Sequence, residues 1–457
     1  MKDNSNLSKK EIRRAKRRKM QAMAFGLLGA AVLIVLVVLI SAGVGIYNLI
    51  KPAKEEPVAE KEQIVLKQSD SIEEDLDQLM AETTEDDTVV EDEVAEETTE
   101  DTEVVAEDEV DTDAIEAEAK EIVDAMTLEE KVAGLFIVTP EILAPNCSNM
   151  TELNASFTTA LTQYPVGGVV LDAGNMQSDA QLKQLTTDLQ GVNANEMFIC
   201  VVEHGGSDSD LVKSGVLESP IMSEPEIGSS DDAGNAYTVA STIATVSNTC
   251  GFNMVFGPVA DIAHQSSGYT SKASYGNDVD EICEMVQNAN KGFNESEVFN
   301  CVQFFPGYGD ITSNPTTSRA SSSRTKEQID TEEYPIYKAA ITSGTDMIMV
   351  SSVAYKSITY DVPACLSEEI VTEMLRGDLG YDGIIITDAL NTSAMYNHYK
   401  HADMAVMAIN AGCDMLYCPG NFDKAYSAVL NAVKSGAISE ERIDESLYRI
   451  YRVKCSK

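Results

Sequence analysis

Between Lys67 and Lys120 this 457-residue chain has no basic residue, and between Ala22 and Ile50 it has no charge of either sign. Each absence excludes something. The uncharged run, "AMAFGLLGAAVLIVLVVLISAGVGIYNLI", is 29 residues long, and about 20 apolar residues suffice to cross a bilayer. It exceeds the apolar core of a signal peptide, and Tyr47-Asn48-Leu49 offers no clear cleavage site behind it. The stretch before it carries nine Lys/Arg against Asp3 and Glu11, which the positive-inside rule keeps in the cytoplasm. The expectation is a basic cytoplasmic tail over 1–19, a transmembrane anchor over 20–50 and everything later outside the cell. That describes a single-pass protein of the cell membrane.

The base-free stretch excludes a packed core. From Glu73 to Glu118 it holds 23 acids, and "ETTEDDTVVEDEV" from Glu82 is nearly repeated as "ETTEDTEVVAEDEV" from Glu97. Self-repelling charge without an aromatic residue predicts an extended, disordered linker over 51–118. Calcium binding by these carboxylates would need the glycine-punctuated spacing of a calcium loop, which is missing. The net charge of −42 is largely this segment's, and it argues against nucleic acid as a partner. No Cys-x-x-Cys pair occurs among the nine cysteines. Cys200, Cys250, Cys301 and Cys413 lie in or beside apolar runs and read as small core residues. No cluster has metal-ligand spacing, so neither metal nor cofactor is expected.

What is present begins near residue 119. Eight apolar runs recur: "GLFIVTP" (134–140), "GGVVLDA" (167–173), "MFICVVE" (197–203), "FNMVFGPV" (252–259), "VFNCVQFF" (298–305), "DMIMVSSV" (346–353), "GIIITDAL" (383–390) and "CDMLYCPG" (413–420). Near-continuous apolar runs predict strands buried on both faces. Amphipathic stretches such as "DEICEMVQNANKGF" and "SEEIVTEMLRGDL" separate them. Eight strand–helix cycles predict an α/β fold, a (β/α)8 TIM-type barrel over 119–457. The last helix, "SEERIDESLYRIYRVK", starts with Ser439 as its cap and early acids, and no second domain is expected after it.

Chemistry in such a barrel belongs at the C-terminal strand ends. That selects Asp172 after strand 2, Glu203 and His204 after strand 3, and Asp261 after strand 4. Gln303 and Phe304 end strand 5, Ser351 and Ser352 strand 6, and Asp388 strand 7. Asp388 also has a structural alternative, capping the next turn together with Asn391 and Thr392. His264, His398 and His401 read as loop and helix-start residues.

Seven segments, "MTLEEKVAGLF", "YPVGGVVL", "GFNMVFGPVADI", "SYGND", "FFPGYGD", "LRGDLGYDGIIITDAL" and "AVKSGAISEERIDESLYRIYRVK", resemble glycoside hydrolase family 3 in its order. The likeness is to its single-domain β-N-acetylglucosaminidase branch and covers about 120–457. It implies a retaining mechanism in which Asp388, in "IITDAL", occupies the nucleophile position. Such a mechanism needs a second group to protonate the leaving oxygen. In this branch that group is a histidine paired with an aspartate in a loop of pattern KHFPGHGDTxxDSH. Here Gln303-Phe304 replace Lys-His, Tyr308 replaces the second histidine, and Asn314-Pro315-Thr316 stand for Asp-Ser-His. The strand-3 pattern VDQEGGR reads "VVEHGGS", so Val202 and Ser207 replace its Asp and Arg. Ala273 stands at the Arg of DRSFG.

The resemblance therefore implies a β-N-acetylglucosamine-type glycan or cell-wall component as partner, with Asp388 at the nucleophile position. Glu203, His204, Gln303, Phe304 and Tyr308 are the expected pocket positions, and Tyr275, Tyr308 and Phe304 the candidates for stacking on a sugar. The degraded acid/base set points to a non-catalytic, pseudoenzyme-like barrel. An active, diverged β-N-acetylhexosaminidase in carbohydrate or peptidoglycan turnover and a surface protein-interaction scaffold remain as alternatives.

Overall fold

The computed structural model describes residues 112–457 except 194, 231, 309 and 310. The tail over 1–19, the span over 20–50 and the acidic linker as far as 111 lie outside the described residues. Among the described residues no helix is long and apolar enough to cross a membrane. The single-pass membrane localisation expected from the sequence is corrected accordingly. The boundary drawn at residue 118 also moves. Thr112–Ala125 forms a helix whose Ala119 and Val123 are buried, because alanine, isoleucine and valine here space the acids so that one face is apolar.

All eight apolar runs become strands: β1 Phe136–Val138, β2 Gly168–Val170, β3 Phe198–Val202, β4 Met254–Val259, β5 Phe299–Phe305, β6 Met347–Val350, β7 Ile384–Thr387 and β8 Leu416–Tyr417. They pair in parallel in the order β8-β1-β2-β3-β4-β5-β6-β7. A parallel bridge from Ile386 to Met415 brings β7 against β8, so the sheet curls into a (β/α) barrel. Strand residues such as Phe136, Phe198, Phe256 and Phe305 are fully buried, which is why the runs show no polar alternation. Helices between strands start at ordinary caps. Ser178, Asp278 and Thr325 each accept a backbone N–H from the first turn.

Buried ions sit among the apolar residues at the N-terminal end of the barrel. Asp414, just before β8, is wholly buried and accepts Ile385 N–H at 2.9 Å and Ser446 Oγ at 2.8 Å. Arg376 donates to the oxygen that accepts Ile385 N–H, and Arg449 lies 3.4 Å from the other. From the last helix, Glu440–Lys454, the buried Lys454 donates to the carbonyls of Gly167 (3.2 Å) and Glu196 (2.7 Å). It also lies 4.5 Å from the Phe198 ring centre, a cation–π contact. The opposite end, where the strands finish, is left for chemistry. All nine cysteines are free thiols, and Cys200, Cys250, Cys301 and Cys413 are buried in the core, as their apolar settings predict.

Candidate functional site

Asp388 follows β7 directly and is half-buried. It does not cap the next turn. One oxygen, Oδ2, accepts the hydroxyl of Tyr308 and, at 2.8 Å, that of Ser352. The other accepts Ala389 N–H at 2.7 Å. Burial pushes its carboxyl above the usual carboxylate range, while the two hydroxyl donors pull it back down. Tyr308 is 3% exposed. Its ring meets Phe304 edge-on at 4.8 Å and Tyr269 at 5.4 Å between centres. Burial first, and then the neighbouring carboxylate, push the phenol well above its ordinary value.

The backbone beneath Tyr308 is fixed as tightly. Its N–H donates to Asp261 Oδ2 at 2.9 Å, and the Tyr355 hydroxyl donates to Gly307 carbonyl. Asp261, after β4, is 1% exposed, and burial pushes its carboxyl up to about 6. Downstream, Asn314 Oδ1 accepts the N–H (2.9 Å) and hydroxyl (2.7 Å) of Thr316. Thr316 carbonyl in turn accepts Ala394 N–H and Ser393 Oγ beyond Asp388. Thr316 is thus tied to the segment beyond Asp388 by neutral hydrogen bonds.

A second region opens after β3. A cavity of about 530 Å³ is bounded by Val202–Asp210, by Pro220, Ile221, Ser223, Glu224 and Glu226, and by Lys272 and Ala273. Its shape depends on Gly205 and Gly206, with φ of 70° and 75°. That left-handed pair suits glycine, and it turns the chain so that Gly206 N–H reaches Ile221 carbonyl at 2.9 Å. Glu203 is 2% exposed but fully engaged. It accepts His204 N–H (3.1 Å), Gly205 N–H (2.9 Å) and Ser209 Oγ (2.7 Å), and burial still raises its carboxyl. His204 has been pushed down to about 4 by burial, and its Nδ1 has no hydrogen-bond partner. Glu224, 3% exposed, accepts Val259 N–H on one oxygen at 2.9 Å and leaves the other, Oε2, unpartnered.

A family model described as "Glycosyl hydrolase family 3 N terminal domain" matches residues 127–453. The chain belongs to glycosyl hydrolase family 3. Within it, the similarity runs to β-N-acetylhexosaminidases. The β-hexosaminidase A of Pseudoalteromonas piscicida is 24% identical over 335 residues, covering 67% of this chain and 56% of that protein. A family 3 β-N-acetylglucosaminidase from Paenibacillus sp. str. FPU-7 has the same fold at a TM-score of 0.68 and 30% identity, over 73% of this chain and 63% of that one. The β-N-acetylhexosaminidase of Beutenbergia cavernae shares the fold at a TM-score of 0.61 and 22% identity, over 71% of this chain and 97% of that one. This chain therefore spans little more than half the length of its Pseudoalteromonas relative.

Set against the family 3 barrel, the expected site residues separate into two groups. Asp388, Tyr308 and Phe304 come together, whereas Glu203 and His204 line the cavity after β3, whose walls include neither Asp388 nor Tyr308. Gln303 is 2% exposed with Oε1 unpartnered. None of the three aromatic candidates lines the cavity after β3. Tyr275 is buried in the core, its backbone against Gly228. Asp172 serves its own turn, accepting Gly174 N–H at 2.7 Å. His264 pairs with Glu333 at 2.9 Å, and His401 opens a helix. Glu224 escaped the sequence reading. It sits in "SEPE", where Ser223 and Glu226 form a capping box, so the acids read as a helix start. Only the fold turns Glu224 inward.

Proposed function

We propose that this family 3 barrel binds glycans built on β-linked N-acetylglucosamine, cell-wall fragments among them, without turning them over by the family mechanism. The observation that carries this reading is the hydroxyl of Tyr308 on Asp388. A retaining glycosidase needs a free carboxylate to attack carbon and, about 5 Å away, an acid to protonate the departing oxygen. Here the carboxylate at the nucleophile position is engaged by Tyr308 and Ser352. The phenol beside it has been pushed far above its ordinary value, so it is a poor proton donor at neutral pH. At the positions of the family's acid/base pair stand Asn314 and Thr316, which hydrogen-bond each other. The open cavity after β3, with Asp208, Asp210 and Ser207 on its wall, supports binding. A protein-interaction scaffold finds less support. Among the described residues the exposed large apolar side chains are three tyrosines, Tyr269, Tyr360 and Tyr396, far apart in sequence, rather than a broad apolar patch.

An activated aryl β-N-acetylglucosaminide tests the reading generously, because its leaving group needs little protonation. The expected result is hydrolysis no faster than by Asp388→Asn, with measurable binding of N-acetylglucosamine oligomers by calorimetry. Steady turnover by the wild type that the Asn variant loses would make the chain an active, diverged hexosaminidase.

A further inference from the structure

We infer that Tyr360 and Tyr396, on the loops after β6 and β7 and joined by Tyr399, form an aromatic platform that takes a strand of β-linked glycan. The inference rests on the glycan-binding reading and deepens it by placing the strand on named residues. Its starting point is a strained, exposed ring. Tyr360 is 82% exposed, the most exposed of the large apolar side chains among the described residues, and its φ is 56°. A bulky side chain in that left-handed region is a backbone outlier. Such strain persists only where the surrounding structure over-determines it.

The surroundings here do so. Within the loop, Thr359 Oγ1 donates to Val362 carbonyl at 2.6 Å and accepts Tyr355 N–H at 3.1 Å. Asp361 carbonyl, next to Tyr360, accepts the Arg319 guanidinium and, at 3.3 Å, the Tyr399 hydroxyl. Tyr399 closes a helical turn that begins at Thr392. Tyr396 N–H reaches Thr392 carbonyl at 3.1 Å, and Tyr399 N–H reaches Met395 carbonyl at 3.0 Å. Tyr396, 47% exposed, is three residues before Tyr399 and stands on the same face of that turn. The two loops leave the barrel from Ser352 and Asp388, which share a hydrogen bond of 2.8 Å. The backbone that carries the rings is thus fixed before any ligand arrives, so binding loses little freedom there.

The chemistry of this surface selects a neutral, amphipathic ligand. A β-linked N-acetylglucosamine ring carries its substituents around its edge. Each of its faces is then a surface of C–H groups that suits the negative face of a tyrosine ring. The hydroxyls and amide on the edge need polar partners. Beside the Tyr396 turn runs the stretch 312–318, "TSNPTTS", exposed except at Pro315 and without a charge. Thr316 carbonyl ties it to that turn through Ala394 N–H at 3.2 Å. Arg319 and Asp361 lie 3.9 Å apart and offset each other's charge. A protein hot spot would set such anchors in one desolvated patch, whereas here the polar contact of Asp361 with Tyr399 joins the two loops between Tyr360 and Tyr396.

The test is calorimetry on the full chain with a β-linked N-acetylglucosamine hexamer. Tyr360→Gly should weaken the hexamer about tenfold and yet melt no lower than the wild type, because glycine adopts the left-handed backbone without strain. Tyr360→Phe, which keeps the ring, should bind within about twofold of the wild type. Tyr396→Ala should weaken the hexamer as well. Equal binding by the wild type, Tyr360→Gly and Tyr396→Ala overturns the platform and leaves the glycan-binding reading standing. A Tyr360→Gly chain that melts several degrees lower makes the ring structural and also overturns the platform. Maltohexaose, which is α-linked, binding as tightly as the hexamer overturns the β-linked assignment. No binding of the hexamer by the wild type overturns both readings, in favour of a protein partner at the exposed ring.

Discussion

Two strand-end regions of one barrel handle buried carboxyl groups in opposite ways. After β7, Asp388 has every oxygen engaged, and an aromatic ring fills the volume above it. After β3, Glu224 is more deeply buried than Asp388, at 3% exposure, yet keeps one oxygen without a hydrogen-bond partner. The acid that the likeness to family 3 leads one to expect at the nucleophile position, Asp388, is the one engaged by hydroxyls. Glu224, which none of the seven family 3-like segments includes, is the one left partly unbonded. A residue type kept at a strand end therefore says little until the neighbouring loop is placed, because that loop decides whether the group meets solvent, ligand or another side chain.

The contrast can be broken or sharpened by substitution, beginning at the closed region. Tyr308→Ala removes a buried ring packed on Phe304 and Tyr269, and should cost about 3–5 kcal/mol in a denaturant titration. A cost under about 1 kcal/mol would mean that Tyr308 does not seal this end.

Asp261→Asn tests the same loop through pH. The folded chain holds the Asp261 proton with a value near 6, against 3.8 for the ordinary side chain. Raised in the folded state, this carboxyl contributes stability that is fully present below about 3.8 and lost as pH rises through about 6. Relative to the Asn variant, the wild type should lose about 2–3 kcal/mol between pH 4 and pH 7. His204, pushed the other way, titrates in both proteins and drops out of the difference. A stability difference that stays flat across that range would contradict the burial of Asp261.

Tyr308→Phe keeps the ring and deletes the hydroxyl on Asp388. The expected loss is about 1–2 kcal/mol, read from the denaturation midpoint at pH 7. At the open region the same scale should nearly vanish. Glu224→Gln removes a buried, singly bonded carboxyl and should change stability by no more than about 0.5 kcal/mol, since burial already pushes that carboxyl well above the usual range toward its neutral form and the amide is a neutral isostere of it. A loss above about 2 kcal/mol would make Glu224 a structural group and erase the distinction between the two regions.

By itself the sequence determined the barrel and its polarity. Eight apolar runs without alternation can only be strands covered on both sides, and their loops fall at one end whatever the detailed packing. Asp388 was legible for the same reason, being the acid that ends the seventh run, and so were Glu203 and His204 at the end of the third. The tertiary structure alone decided what each of these groups faces. Tyr308 lies 80 residues before Asp388 and Ser352 lies 36 before it, and nothing local to either stretch encodes a hydrogen bond between them. Glu224 was hidden by a capping box that explains its neighbours but not its own side chain. Side-chain engagement is set by which loops the closed sheet brings together in space, and pattern along the chain carries only the periodicity of the elements, not the contents of the volume between their ends.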